Sequence, residues 1–148
     1  MIRRKKETAA YYARFVADRY RYKGIEISSA VSRRLSKYDR YEKWISNEED
    51  EAGRTAIVVN NQWGEMSLLM AIVCPKTHVI ALEEDDDKIA VAFYSAESVA
   101  PNLSIRKKEG EKQIGQLMNG DGNNVLYIIE PTDKDLEIYG HFHPVIVG

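Results

Sequence analysis

The sequence predicts an α/β fold in which a mostly parallel sheet is covered by helices on both faces and preceded by a two-helix segment. Three observations carry this. From Arg54 onward, short apolar runs rich in Val and Ile alternate with stretches of helical spacing. Those runs are apolar at nearly every position, as in strands buried on both faces. Upstream of Arg54, apolar residues recur every three to four positions, the period of a helix.

In chain order, Tyr12, Val16 and Tyr20, with Phe15 beside them, place one amphipathic helix over residues 7–22, ended by Gly24. Residues 25–27 read as extended, and Ser28 and Ser29 offer an N-cap. Val31, Leu35, Tyr38, Tyr41 or Glu42, and Ile45 then step along one face of a second helix, which Trp44 extends. Residues 47–53 lack periodicity and read as a solvated linker. Residues 55–59 form a buried-type strand, 60–65 a tight turn, and 66–73 a helix stopped by Pro75, with Cys74 in the core. Residues 78–82 are a second strand. Residues 87–94 are a helix with acids gathered at its start, where the helix dipole favours them. A shorter third strand falls at 103–106 and a fourth at 125–129, with a helical turn or two at 114–118, a short helix at 133–139 and a terminal apolar strand at 144–147.

The net charge of −2 conceals a division near Ile45. Residues 1–45 hold 13 of the 21 Lys and Arg and 5 of the 23 Asp and Glu, a balance of +8, and the remainder balances at −10. Six of the nine tyrosines also lie in the basic part. Such a segment suits a partner surface, either its own sheet or a second copy of the chain. An anionic membrane surface is the next occupant in preference, and nucleic acid the last, because the tyrosines sit at core spacing rather than over a polar face. One cysteine excludes a disulfide framework, and no run reaches the roughly 18 to 20 apolar residues of a membrane span. The basic start is followed by Glu7 and Thr8 rather than a signal-peptide hydrophobic stretch, so the expected location is cytoplasmic, with peripheral membrane attachment as a variant.

In open parallel sheets, ligands bind at the carboxyl ends of the strands, so the turn after the first strand is the place to look. It contains one glycine, Gly64, which excludes both a dinucleotide fingerprint and a P-loop. An acid, Glu83, ends the second strand 19 residues later, where a carboxylate can accept hydrogen bonds from ribose hydroxyls. A plain turn with a helix-capping cluster accounts for the same residues equally well.

The stretch from Ala56 to Ala92, with strand, turn, helix, then strand, acid and helix, resembles the start of a class I S-adenosylmethionine-dependent methyltransferase. Asn102 to Ile105, Asn124 to Ile129 and Gly140 to Val147 resemble its later strands, so the likeness covers about residues 54–148. It implies a Rossmann-like three-layer sandwich of about five strands in the order 3-2-1-4-5, with S-adenosylmethionine as cofactor. Residues 1–46 then form a basic, tyrosine-rich helical lead. Tyr22-Lys23-Gly24 and the segment after it resemble the connector that, in some bacterial lipid enzymes, joins a lysophospholipid acyltransferase to a methyltransferase-like domain. No His-x4-Asp acyltransferase motif is present.

The family's acid and three glycines fall here on Asn60, Gln62, Gly64 and Met66. The resemblance therefore implies a cofactor site at Asn60, Gly64, Glu65 and Glu83 with an eroded turn. Asn60 keeps hydrogen-bonding capacity but lacks the charge that complements the methionine ammonium. After the fourth strand, Glu130-Pro131-Thr132-Asp133 lacks the second proline and aromatic of amino-methyltransferases, so no target nitrogen or catalytic residue is implied. Two functions are expected: a methyltransferase-like domain, or a noncatalytic interaction or regulatory module that kept the fold. The length of about 95 residues after the lead is short for a methyltransferase with acceptor-binding additions, which points to work against a partner surface. His141 and His143 lack a third metal ligand and read as the half-exposed entry to the last strand. The five acids Glu83 to Asp87 read as a solvated helix start rather than a cation loop.

Overall fold

The computed structural model describes residues 5–36, 50–120 and 122–147. Helices α1 (Lys5–Arg19) and α2 (Ile25–Leu35) precede five strands alternating with four helices: β1 (Arg54–Val59), α3 (Glu65–Val73), β2 (His78–Glu83), α4 (Asp86–Ala96), β3 (Leu103–Lys107), α5 (Glu111–Met118), β4 (Asn123–Ile129), α6 (Asp133–Tyr139) and β5 (Val145–Val147). All strand pairings are parallel, and the sheet order is β3-β2-β1-β4-β5, as the sequence predicts. β1 lies at the centre, with Ile57 opposite both Ile80 of β2 and Leu126 of β4.

The pleat sends alternate residues of each strand to opposite faces, and each face has its own core. Ala56, Val58, Val79, Tyr127 and Ile129 pack with α1, α2 and α3 through Val16, Tyr20, Val31, Leu35, Leu68 and Leu69. Ile57, Val59, Ile80, Leu82 and Ile128 pack with Ile114 of α5 and Tyr139 of α6. Cys74 is fully buried. No helix among the described residues is long and apolar enough to cross a membrane.

Local chemistry sets several boundaries. α2 begins at Ile25, so residues 25–27 are helical rather than extended, and Ser28 and Ser29 lie inside the helix. The chain reverses immediately after α1 through a Lys23 to Tyr20 backbone hydrogen bond. Gly24, with φ 109, then stands at the N-cap, a conformation that favours glycine. Tyr38, Tyr41, Trp44 and Ile45, expected to continue this helix, lie outside the described residues. α4 is capped by Asp85, whose carboxylate accepts from the N–H groups of Asp87 and Lys88. α6 has a capping box in which Thr132 and Asp135 satisfy each other's backbone N–H. His141 and Phe142 belong to a 3-10 turn and His143 has φ 53, so a turn leads into β5.

Candidate functional site

The carboxyl ends of β1, β2 and β4 open on one edge of the sheet, and the turn after β1 lies across it. Three of its five residues are left-handed: Asn60 at φ 62, Gln62 at φ 56 and Gly64 at φ 90. Asparagine and glycine tolerate this region, whereas Gln62 adopts it at a cost. Gly64 is required sterically as well. A Cβ there would sit 2.6 Å from Ala92 Cβ of α4 and 3.3 Å from the Tyr20 hydroxyl. The absent side chain thus lets α4 and α1 approach the turn. Tyr20 fixes that approach by donating to the carbonyl of Trp63 at 2.6 Å. Burial pushes its phenol well above the ordinary value, so it is a donor at every physiological pH.

Glu83 ends β2 and is 7% exposed. Its Oε1 accepts the N–H of Gln62 at 2.8 Å, and its Oε2 accepts those of Glu84 at 2.8 Å and Asp85 at 3.0 Å. One carboxylate therefore ties the β1 turn to the β2 turn. Gln62 is held from the other side by Lys88, which donates to its Oε1 at 2.9 Å and lies over the Trp63 ring.

Asn60 points across the edge toward β4 and α6. Its Nδ2 donates to Asp135 Oδ2 at 3.0 Å and to the Ile129 carbonyl at 3.4 Å. Its Oδ1 accepts from Lys108 Nζ at 3.2 Å. Lys108 follows β3, and its side chain is 9% exposed. It also pairs with Glu84 at 3.5 Å and stands 5.9 Å from the centre of the Tyr139 ring.

Glu65 is fully buried at the first turn of α3. Its Oε1 accepts from Arg34 of α2 at 2.9 Å, and Arg34 also donates to Glu130 at the end of β4, again at 2.9 Å. Oε2 of Glu65 has no hydrogen-bond partner among the described residues. Burial raises the Glu65 carboxyl above its ordinary value, against the pull of Arg34. Arg34 thus ties the N-terminal helices to both the start of α3 and the end of β4.

Of the four residues singled out from the sequence, Asn60, Gly64 and Glu83 converge on the β1 turn, and Glu65 turns away beneath α2. Arg34, Lys108 and Asp135 were not singled out. Asp135 carried a signal in the Thr-x-x-Asp spacing of its capping box. Lys108 and Arg34 are single cations among many and carried none. No group of three or more His, Cys, Asp or Glu suited to a metal ion occurs among the described residues.

A five-stranded parallel sheet in the order 3-2-1-4-5, with helices on both faces and polar residues gathered at the carboxyl ends of its central strands, is a Rossmann-like α/β architecture. Solved structures of MtNAS share this fold. The complex with MTA and tNA superposes with a TM-score of 0.55 at 16% identity, covering 92% of this chain and 50% of that one. A point mutant of MtNAS in complex with S-adenosylmethionine gives 0.55 at 15% identity, over 93% and 51%. This chain therefore spans about half the length of those proteins. No protein-family model matches the sequence, and no curated protein does.

Proposed function

We propose that this chain is an S-adenosylmethionine-binding, methyltransferase-like domain whose crevice is the sheet edge between the ends of β1, β2 and β4. The observation that carries this reading is Glu83, a buried acid that ends β2 and is turned to the β1 turn. A carboxylate offers about four acceptor positions, and the three N–H groups on Glu83 leave room for a ribose hydroxyl. The MtNAS structures with S-adenosylmethionine and MTA support it through their shared fold. The residues present fit the group: Glu83 would take the ribose, and the polar cluster around Asn60 would face the amino-acid end. Bound S-adenosylmethionine supplies an electrophilic methyl group, and the chain contributes chiefly by positioning it.

A second reading, a noncatalytic module, is favoured by the internal pairing of the turn, in which Gln62 is occupied by both Glu83 and Lys88. Titration calorimetry with S-adenosylmethionine and S-adenosylhomocysteine separates the two. The first reading expects saturable binding, a ligand-dependent rise in Tm, and a loss of about tenfold or more in Glu83→Gln with the fold retained. Silence at millimolar ligand overturns it and leaves the module.

A further inference from the structure

The negative charge that the resemblance calls for at position 60 is missing, yet the surroundings of Asn60 are strongly charged. Its amide is held between a carboxylate and an ammonium, with Asp135 on the nitrogen side and Lys108 on the oxygen side. These charges come from elements far apart in sequence, and they meet at the edge between β1 and β4, where the strand order reverses. Asp135 Oδ2 accepts from Asn60 and from the Thr132 N–H, while Oδ1 accepts from no described residue. The Lys108 side chain is nine-tenths buried, and among the described residues its ammonium meets Asn60 and the exposed Glu84.

We infer that this charged pair reads an α-amino-acid group, with Asp135 taking the α-ammonium and Lys108 the α-carboxylate, in place of an acid at position 60. The inference rests on the S-adenosylmethionine reading above and names the residues that would hold the amino-acid end. A zwitterion presents its two charges on one carbon, and the Asn60 amide sets the two protein charges on either side of a single small group. Opposite charges placed side by side also discriminate against ligands that lack them. Burial alone would raise the Asp135 carboxyl, but the Thr132 N–H, the Asn60 amide and nearby Lys108 hold it below its ordinary value. Asp135 is therefore an anion at neutral pH.

The test compares S-adenosylhomocysteine with 5′-methylthioadenosine, which has the same nucleoside and no amino-acid end, by titration calorimetry on the parent chain, Asp135→Asn, Lys108→Met and Lys108→Arg. Asp135→Asn keeps an acceptor for the capping box, and Lys108→Arg keeps the charge. The parent should bind S-adenosylhomocysteine at least about tenfold tighter than 5′-methylthioadenosine. Asp135→Asn and Lys108→Met should each lose roughly 10- to 100-fold for the first ligand and less than about twofold for the second, with Lys108→Arg close to the parent. If the parent binds both ligands equally, or the variants weaken both alike, the inference is overturned while the nucleoside site stands. Silence toward both ligands in the parent overturns the site and the inference together.

Discussion

Gln62 and Glu83 are joined across the mouth of the sheet by a 2.8 Å hydrogen bond from a backbone N–H, and that N–H belongs to a residue held at φ 56. The acid that closes β2 thus stabilises a left-handed glutamine at a position where the resembling family has glycine. Two substitutions separate backbone strain from side-chain contact. Gln62→Gly relieves about 1 kcal/mol of left-handed strain but adds a similar entropic cost to folding, so stability should move by less than about 1 kcal/mol. Gln62→Val keeps the N–H and places a branched side chain at positive φ, which should cost about 1–2 kcal/mol more than glycine. Urea unfolding measures both. Equal losses would show that the Lys88 contact, which both variants lack, matters more than the backbone.

Gly64 tests how closely α4 must approach. An added Cβ would meet Ala92 Cβ at 2.6 Å and Ala92 Cα at 3.2 Å, at a φ of 90. Overpacking and the left-handed penalty together put the cost of Gly64→Ala at about 2–4 kcal/mol. Ala92→Gly removes the opposing Cβ, so the double variant should be more stable than the sum of the single losses by about 1 kcal/mol. Simple additivity in the denaturation midpoints would mean that the contact is not the source of the cost.

The Arg34 and Glu65 pair gives a third prediction. Arg34→Met leaves Glu65 buried beside the start of α3 without its cation and should cost about 3–5 kcal/mol. Adding Glu65→Gln should recover much of that loss by removing the buried charge. The pair also shapes the dependence on pH. Burial pushes the Glu65 carboxyl above its ordinary 4.5, so the folded chain keeps this proton to higher pH than the unfolded chain does. Between those two values the folded state binds more protons. The contribution is therefore fully present below 4.5 and is lost as pH rises through the folded value. Glu65→Gln has no proton to lose, and its stability should run flatter over that range in unfolding series taken at stepped pH.

Much of the fold was legible because burial on both sides of a parallel sheet leaves long apolar runs. The strands at 55–59, 78–82 and 125–129 fall within β1, β2 and β4. Val31, Leu35 and Cys74 are buried as their spacing implies. The start of α2 was not legible. Two serines are a reasonable N-cap pattern, but the tight reversal after α1 places Gly24 at that position, and no local propensity encodes the reversal.

The candidate site divides along the same line. The spacing from Gly64 to Glu83 is a short-range feature of one strand-turn-helix-strand unit, and it pointed to the sheet edge that the structure presents. The charged partners of Asn60 are 48 and 75 residues distant in the chain, and Arg34 lies 31 residues before Glu65. Their meeting depends on the order in which the strands are laid beside one another. Hydrophobic periodicity and turn chemistry act over a few residues, so the sequence by itself determined the elements, the parallel sheet and the acid at the end of β2. Only the tertiary structure decided that a neutral amide at the end of β1 is flanked by a carboxylate and an ammonium, because such electrostatic proximity is a property of packed elements rather than of chain neighbours.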